Sequence, residues 1–160
     1  MRTGFLALGL MALAASAPTM AADAPQRMGP AGSPISTSVS VPPDGRIVYI
    51  SGTVPDVVDG KAPEGSVARF GCTEAQTRSI LRKVEAALKE QGLGLGDVVM
   101  MRVFLVAPVG QRMDFAGMMK AYRDFFGTAA QPNKPARSTM QVAGLVDPGW
   151  LVEIEVTAAK

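Results

Sequence analysis

The run Val98-Val99-Met100-Met101-Arg102-Val103-Phe104-Leu105-Val106 constrains the fold more than any other part of the chain. It is almost continuously apolar and bounded by glycines and a Pro-Val-Gly loop, so it reads as a buried strand, of the kind usually covered on both faces. Its neighbours supply cover. Upstream, Thr73 and Gln76 have capping-box spacing, which sets a helix start. Ile80, Leu81, Val84, Ala87 and Leu88 then fall on one face, while Arg78, Arg82, Lys83, Glu85 and Lys89 point elsewhere, until Gly92, Gly94 and Gly96 end the helix. Downstream, a second helix is expected near Asp114–Phe126, with Phe115, Met118, Met119, Tyr122 and Phe126 in the core. Two strands are expected first, near Ile35–Val41 and Arg46–Ser51, joined as a hairpin through Pro42-Pro43-Asp44-Gly45. Thr53 to Gly71 is loop-like. Two more alternating strands begin at Pro135 and Val152. This order is an α+β pattern: one sheet with two helices packed on a single face. The opposite face then needs a partner, and Val39, Val41, Met100, Val103 and Met140 offer apolar surface for it.

The chain has 160 residues, enough for one domain with a hydrophobic core. Its start has a different character. Arg2, an apolar run from Phe5 to Ala15 and the small residues around Thr19-Met20-Ala21 read as a secretory signal peptide over 1–21, with an uncleaved anchor as the alternative. A flexible leader over 22–33 and a single domain over 34–160 are expected to follow. The mature protein would be periplasmic, with no membrane association after cleavage. Without residues 1–21 the chain keeps 15 basic and 14 acidic groups and no basic block, which argues against a nucleic-acid partner. It contains no histidine, which excludes Ser-His-Asp and Cys-His catalysis and histidine-held metals. No cofactor or metal is expected. The single cysteine, Cys72, cannot form an intrachain disulfide and reads as an inert thiol.

The two C-terminal strands carry the candidate chemistry. Pro135-Ala136-Arg137-Ser138-Thr139 sets a guanidinium, and Val152-Glu153-Ile154-Glu155-Val156 a carboxylate, beside residues that should be buried. A guanidinium fork matches a carboxylate in two-point geometry, and a carboxylate can hold and deprotonate water. A strand-end arginine and a solvated glutamate would look the same.

Wording and order add a resemblance. Pro135 to Thr139, Gln141-Val142-Ala143 and Val152 to Glu155 resemble the C-terminal signature of the Rid family, the reactive intermediate deaminases of the YjgF and UK114 group. Val48-Tyr49-Ile50-Ser51-Gly52, Glu74 to Arg78, Gly96 to Val99, Asp114-Phe115-Ala116, Tyr122 and Phe125-Phe126 fall in the family's order, and the likeness runs from about Pro34 to Ala158. It implies a chorismate-mutase-like fold with one mixed sheet, and a homotrimer with ligand clefts between subunits. It also implies hydrolysis of reactive 2-imino acids to 2-oxo acids and ammonia. Arg137 would bind the substrate carboxylate and Glu153 would position the attacking water, with backbone groups around Ser138, Thr139 and Gly52 completing the cleft. The match departs at three positions. Ile35 stands where the family has a cleft tyrosine, Met119 where many deaminases have an asparagine, and Thr139 where some members have a cysteine. Ile35 and Met119 would make the cleft more apolar and shift it toward bulkier apolar side chains. The alternatives to a deaminase are a non-catalytic binder of small carboxylates and a holdase-like stress protein.

Overall fold

The computed structural model describes residues 24–160, so the expected signal peptide lies outside the described residues. The strands are β1 (Gln26–Met28), β2 (Ser38–Ser40), β3 (Ile47–Thr53), β4 (Val98–Val106), β5 (Ala136–Val142) and β6 (Val152–Ala159). The helices are α1 (Val67–Phe70), α2 (Thr73–Glu90) and α3 (Phe115–Tyr122). The main sheet runs β3-β6-β4-β5. β6 is antiparallel to both neighbours, and β4 and β5 are parallel. The sheet is therefore mixed, and α2 and α3 cover one face of it.

The core lies between them. Met101, Val103 and Leu105 of β4 and Val152, Ile154 and Val156 of β6 meet Ile80, Leu81, Val84 and Leu88 of α2 and Met118, Met119 and Tyr122 of α3, all buried. The expected second-helix core holds except at Phe115, which is 43% exposed because it is the first residue after the Asp114 cap. Asp114 accepts a bond from the Gly117 N–H at 2.8 Å, satisfying one free donor of the first turn.

Four expectations change. β4 is covered on one face only: Met100, Phe104 and Val106 are half-buried and Arg102 is exposed, because both helices lie on the other side. Val103 belongs to the helix-covered face and is fully buried, so it contributes nothing to the open one. The Pro42–Gly45 turn forms, with the Gly45 N–H donating to Pro42 O at 3.0 Å, but no hairpin follows. β2 pairs instead with β1, which lies inside the stretch expected to be a flexible leader, and the entry to β3 pairs with the chain end through Arg46 and Lys160. Finally, the capping box at Thr73 is absent, and Cys72 occupies the cap position without a side-chain bond. Gln76 is drawn inward, donating to Gly71 O and Gly149 O, both at 2.9 Å, and accepting from the Leu151 N–H at 2.7 Å. It ties the helix start to the entry of β6.

Candidate active site

Arg137 is the second residue of β5, an edge strand, opposite Met101 of β4. Met101 is fully buried under the helices, so Arg137 also projects to the helix-covered side. Its guanidinium lies over the Tyr122 ring, 4.3 Å from Cζ to the ring centre. Nη2 donates to Met119 Sδ at 3.0 Å, and Nη1 is buried without any partner among the described residues. Burial works against its charged form and Tyr122 works for it. The group stays cationic, as arginine does in proteins. The result is a half-buried cation held by a π face and a thioether, with no carboxylate against it among the described residues. Its hydrogen-bonding capacity is left partly unmet.

The surrounding residues fix its position. Tyr122 O–H donates to Pro34 O at 3.0 Å, and burial pushes its phenol up to about 12. Ser36 bridges to Ala136, with the Ser36 N–H on Pro135 O at 2.9 Å and Ser36 Oγ on Lys134 O at 2.6 Å. Ile35 is therefore held alongside the start of β5, partly buried against the core. Thr139, two residues beyond Arg137 on the same face, has a buried Oγ1 with no partner among the described residues. Ser138 between them is exposed on the other face.

Glu153 is placed differently. It sits opposite Phe104 of β4, three residues from Met101 and so on the reverse side of the sheet. Its carboxylate makes no hydrogen bond or ion pair among the described residues and lies back over Gly52 of β3. A Cβ on Gly52 would overlap Glu153 Oε1 and stand 2.9 Å from Cδ. The β3–β6 register slips between Ile50 and Thr53 at this point.

Arg137, Thr139, Met119 and Ile35 thus gather on one side, while Glu153, Gly52 and Ser138 lie on the other. Within one chain the arginine and the glutamate are separated by the sheet. Sequence reasoning assigned Tyr122 to the core and missed it as the platform under Arg137. Its spacing of three from Met119 on one helix was the available signal. Also unread was the Arg102–Glu155 ion pair at 2.5 Å, on the open face two residues from Glu153.

A mixed sheet with two helices on one face and the other face bare defines the class: the chorismate-mutase-like α+β fold of the YjgF proteins. The model of the family described as Endoribonuclease L-PSP matches residues 30–160, and the chain belongs to that family. A 2-iminobutanoate/2-iminopropanoate deaminase of Salmonella typhimurium is 37% identical over 116 residues, covering 72% of this chain and 81% of the relative. A YjgF/UK114-family structure from Mycobacterium tuberculosis is similar at a TM-score of 0.54 and 29% identity, covering 78% of this chain and 86% of that one. Escherichia coli TdcF with bound serine is similar at a TM-score of 0.56 and 30% identity, covering 86% of this chain and 93% of that one.

Proposed function

We propose that the protein is an exported deaminase of 2-imino acids, acting at clefts formed between the subunits of a homotrimer. The observation that carries this reading is the Arg137 guanidinium, half-buried, stacked on Tyr122 and left with a buried Nη1 that no acceptor among the described residues meets. A substrate carboxylate would supply that acceptor. The opposite-face placement of Glu153 supports the cleft between copies, since a second subunit can bring its own Glu153 to the Arg137 side of the first.

The chemistry then needs few groups. Arg137 fixes the carboxylate and with it the adjacent imine carbon, which is already electrophilic. Glu153 of the neighbouring copy holds a water and takes its proton as the oxygen bonds to that carbon. That proton passes to the imine nitrogen to give a carbinolamine. The hydroxyl proton then follows to nitrogen as the C=O bond forms and the C–N bond breaks, releasing a 2-oxo acid and ammonia. Placing water and imine in near-attack geometry supplies much of the acceleration. Ile35, Met119 and the Tyr122 ring make the walls apolar, which favours imines with apolar side chains.

The substrate class is in keeping with the name of the Salmonella relative, and the serine in the TdcF structure is a small amino acid carrying the same carboxylate. Endoribonuclease is the description of the family model; a chain with no histidine and a net charge of only +2 does not favour RNA as its substrate. The signal-like residues 1–21 support export to the periplasm, where the imines would come from amino-acid oxidation.

A second reading has its own observation. A binder of small carboxylates needs Arg137 alone, and the Arg137 site is built entirely within one chain. One assay separates the two. Imines generated in place by an amino-acid oxidase are followed with wild type, Arg137→Ala and Glu153→Ala. A deaminase loses kcat/KM about 10- to 100-fold in Arg137→Ala, the range expected for one charge-assisted bond, and loses turnover in Glu153→Ala. Wild type that matches buffer, with carboxylate binding that survives Glu153→Ala, would establish the binder instead.

A further inference from the structure

We infer that Met119 is a gate on the carboxylate anchor: its thioether occupies the place on Arg137 that a ligand carboxylate must take, and it has to swing out for binding. This rests on the reading of Arg137 as that anchor. Three observations meet here. Arg137 Nη2 donates to Met119 Sδ at 3.0 Å, Nη1 is buried with no acceptor among the described residues, and the Tyr122 ring covers one face of the guanidinium. Met119 itself is only 6% exposed, and with Nη1 buried and Nη2 on its sulfur the in-plane edge of the fork that would receive a carboxylate is already occupied.

The closure is weakly held. A thioether is a poor acceptor, and a guanidinium bonded only to sulfur remains under-satisfied compared with one bonded to oxygen. A carboxylate entering the same position offers two charged oxygens and therefore displaces it readily. Of the side chains around Arg137, Met119 is also the one able to move. Tyr122 is pinned through Pro34 O, and Ile35 is fixed by the neighbouring Ser36–Ala136 bridge. Methionine is unbranched, with several soft torsions, and repacks at small cost. Affinity for any carboxylate is then the intrinsic affinity of Arg137 reduced by the fraction of open molecules. Thr139 Oγ1, also buried without a partner among the described residues, lies on the same face.

The test uses pyruvate, a stable 2-oxo acid carrying the same carboxylate as the imine. Calorimetric titrations compare wild type, Met119→Ala, Arg137→Ala and Met118→Ala, the last a buried neighbour on α3 that controls for loosened packing. Met119→Ala should bind pyruvate about fivefold more tightly than wild type, the scale of removing one weak competing bond, with Met118→Ala unchanged. Equal or weaker binding by Met119→Ala overturns the gate. Should Met119→Ala fail to fold, wild type labelled at the methionine methyl groups answers the question. The Met119 signal, assigned through Met119→Leu, should shift on pyruvate addition while those of Met101 and Met118 stay in place. An unmoved Met119 signal at saturation overturns the gate. Binding that needs Arg137 yet ignores Met119 removes the gate alone. No Arg137-dependent binding in any variant removes both the gate and the anchor.

Discussion

At Gly52 the missing side chain is what allows the Glu153 carboxylate to lie back over β3, since a Cβ there would stand 2.9 Å from Glu153 Cδ and overlap Oε1. Its φ lies outside the left-handed region, so alanine fits the backbone and acts only through the carboxylate. Gly52→Ala should keep the circular dichroism spectrum of wild type and lose up to about 100-fold in kcat, the scale of misplacing a reacting group by about 1 Å. Unchanged turnover would show that the position of Glu153 is irrelevant. Tyr122 gives a second prediction through pH. Burial holds its phenol at about 12, with the Arg137 charge opposing only in part. The ordinary value is about 10, so folding favours the protonated phenol. Its contribution is complete below about pH 10 and is lost as pH rises through about 12. Urea midpoints measured across that window should fall less steeply for Tyr122→Phe than for wild type. Parallel curves would contradict the shift.

Among the elements, the start of α2 is hydrogen-bonded to the entry of β6 through one side chain. Gln76 is fully buried and satisfies Gly71 O, Gly149 O and the Leu151 N–H together. Gln76→Leu strands all three, and equilibrium denaturation should show a loss on the order of 3 kcal/mol or more. A loss below about 1 kcal/mol would mean that these backbone groups find other partners. The same residue shows where the sequence misleads. Thr73 and Gln76 have capping spacing, but burial beside Gly149 outcompetes the local cap, and spacing alone carries no information about Gly149. The elements themselves were legible because their periodicities differ, 3.6 in α2 and near-continuous in β4. Pairing was not. The Pro42–Gly45 turn sits between two strands that take other partners, and β1 is only Gln26-Arg27-Met28, too short for any alternation to register. It is held partly by Arg27, whose Nη2 donates to Gly96 O at 2.8 Å, a contact 69 residues away. The site was legible as residue types, Arg137 and Glu153, and illegible as geometry. Which face each residue occupies depends on a register set by β4, and reading the two strands separately leaves it open.

At the scale of the whole molecule, one face of the main sheet is left uncovered among the described residues. It carries Tyr49, 75% exposed, with Met100, Phe104 and Met140 around the Arg102–Glu155 pair. A surface of this kind calls for a partner, and closed homo-oligomers supply one from the chain itself. Light scattering should give the mass of three copies, and Tyr49→Glu should reduce it to one. A wild-type monomer would remove the cleft. The most direct test of the account asks whether Arg137 and Glu153 serve one site from two different copies. Arg137→Ala and Glu153→Ala, each assayed alone at low substrate to fix its residual activity, are unfolded together in equal amounts and refolded. If each site takes its arginine from one subunit and its glutamate from the next, random assembly leaves about a quarter of the sites intact, and imine hydrolysis returns to about that fraction of wild type. If both residues act from the same chain, no mixed assembly holds an intact pair, and activity no greater than that of the separate variants would contradict the account.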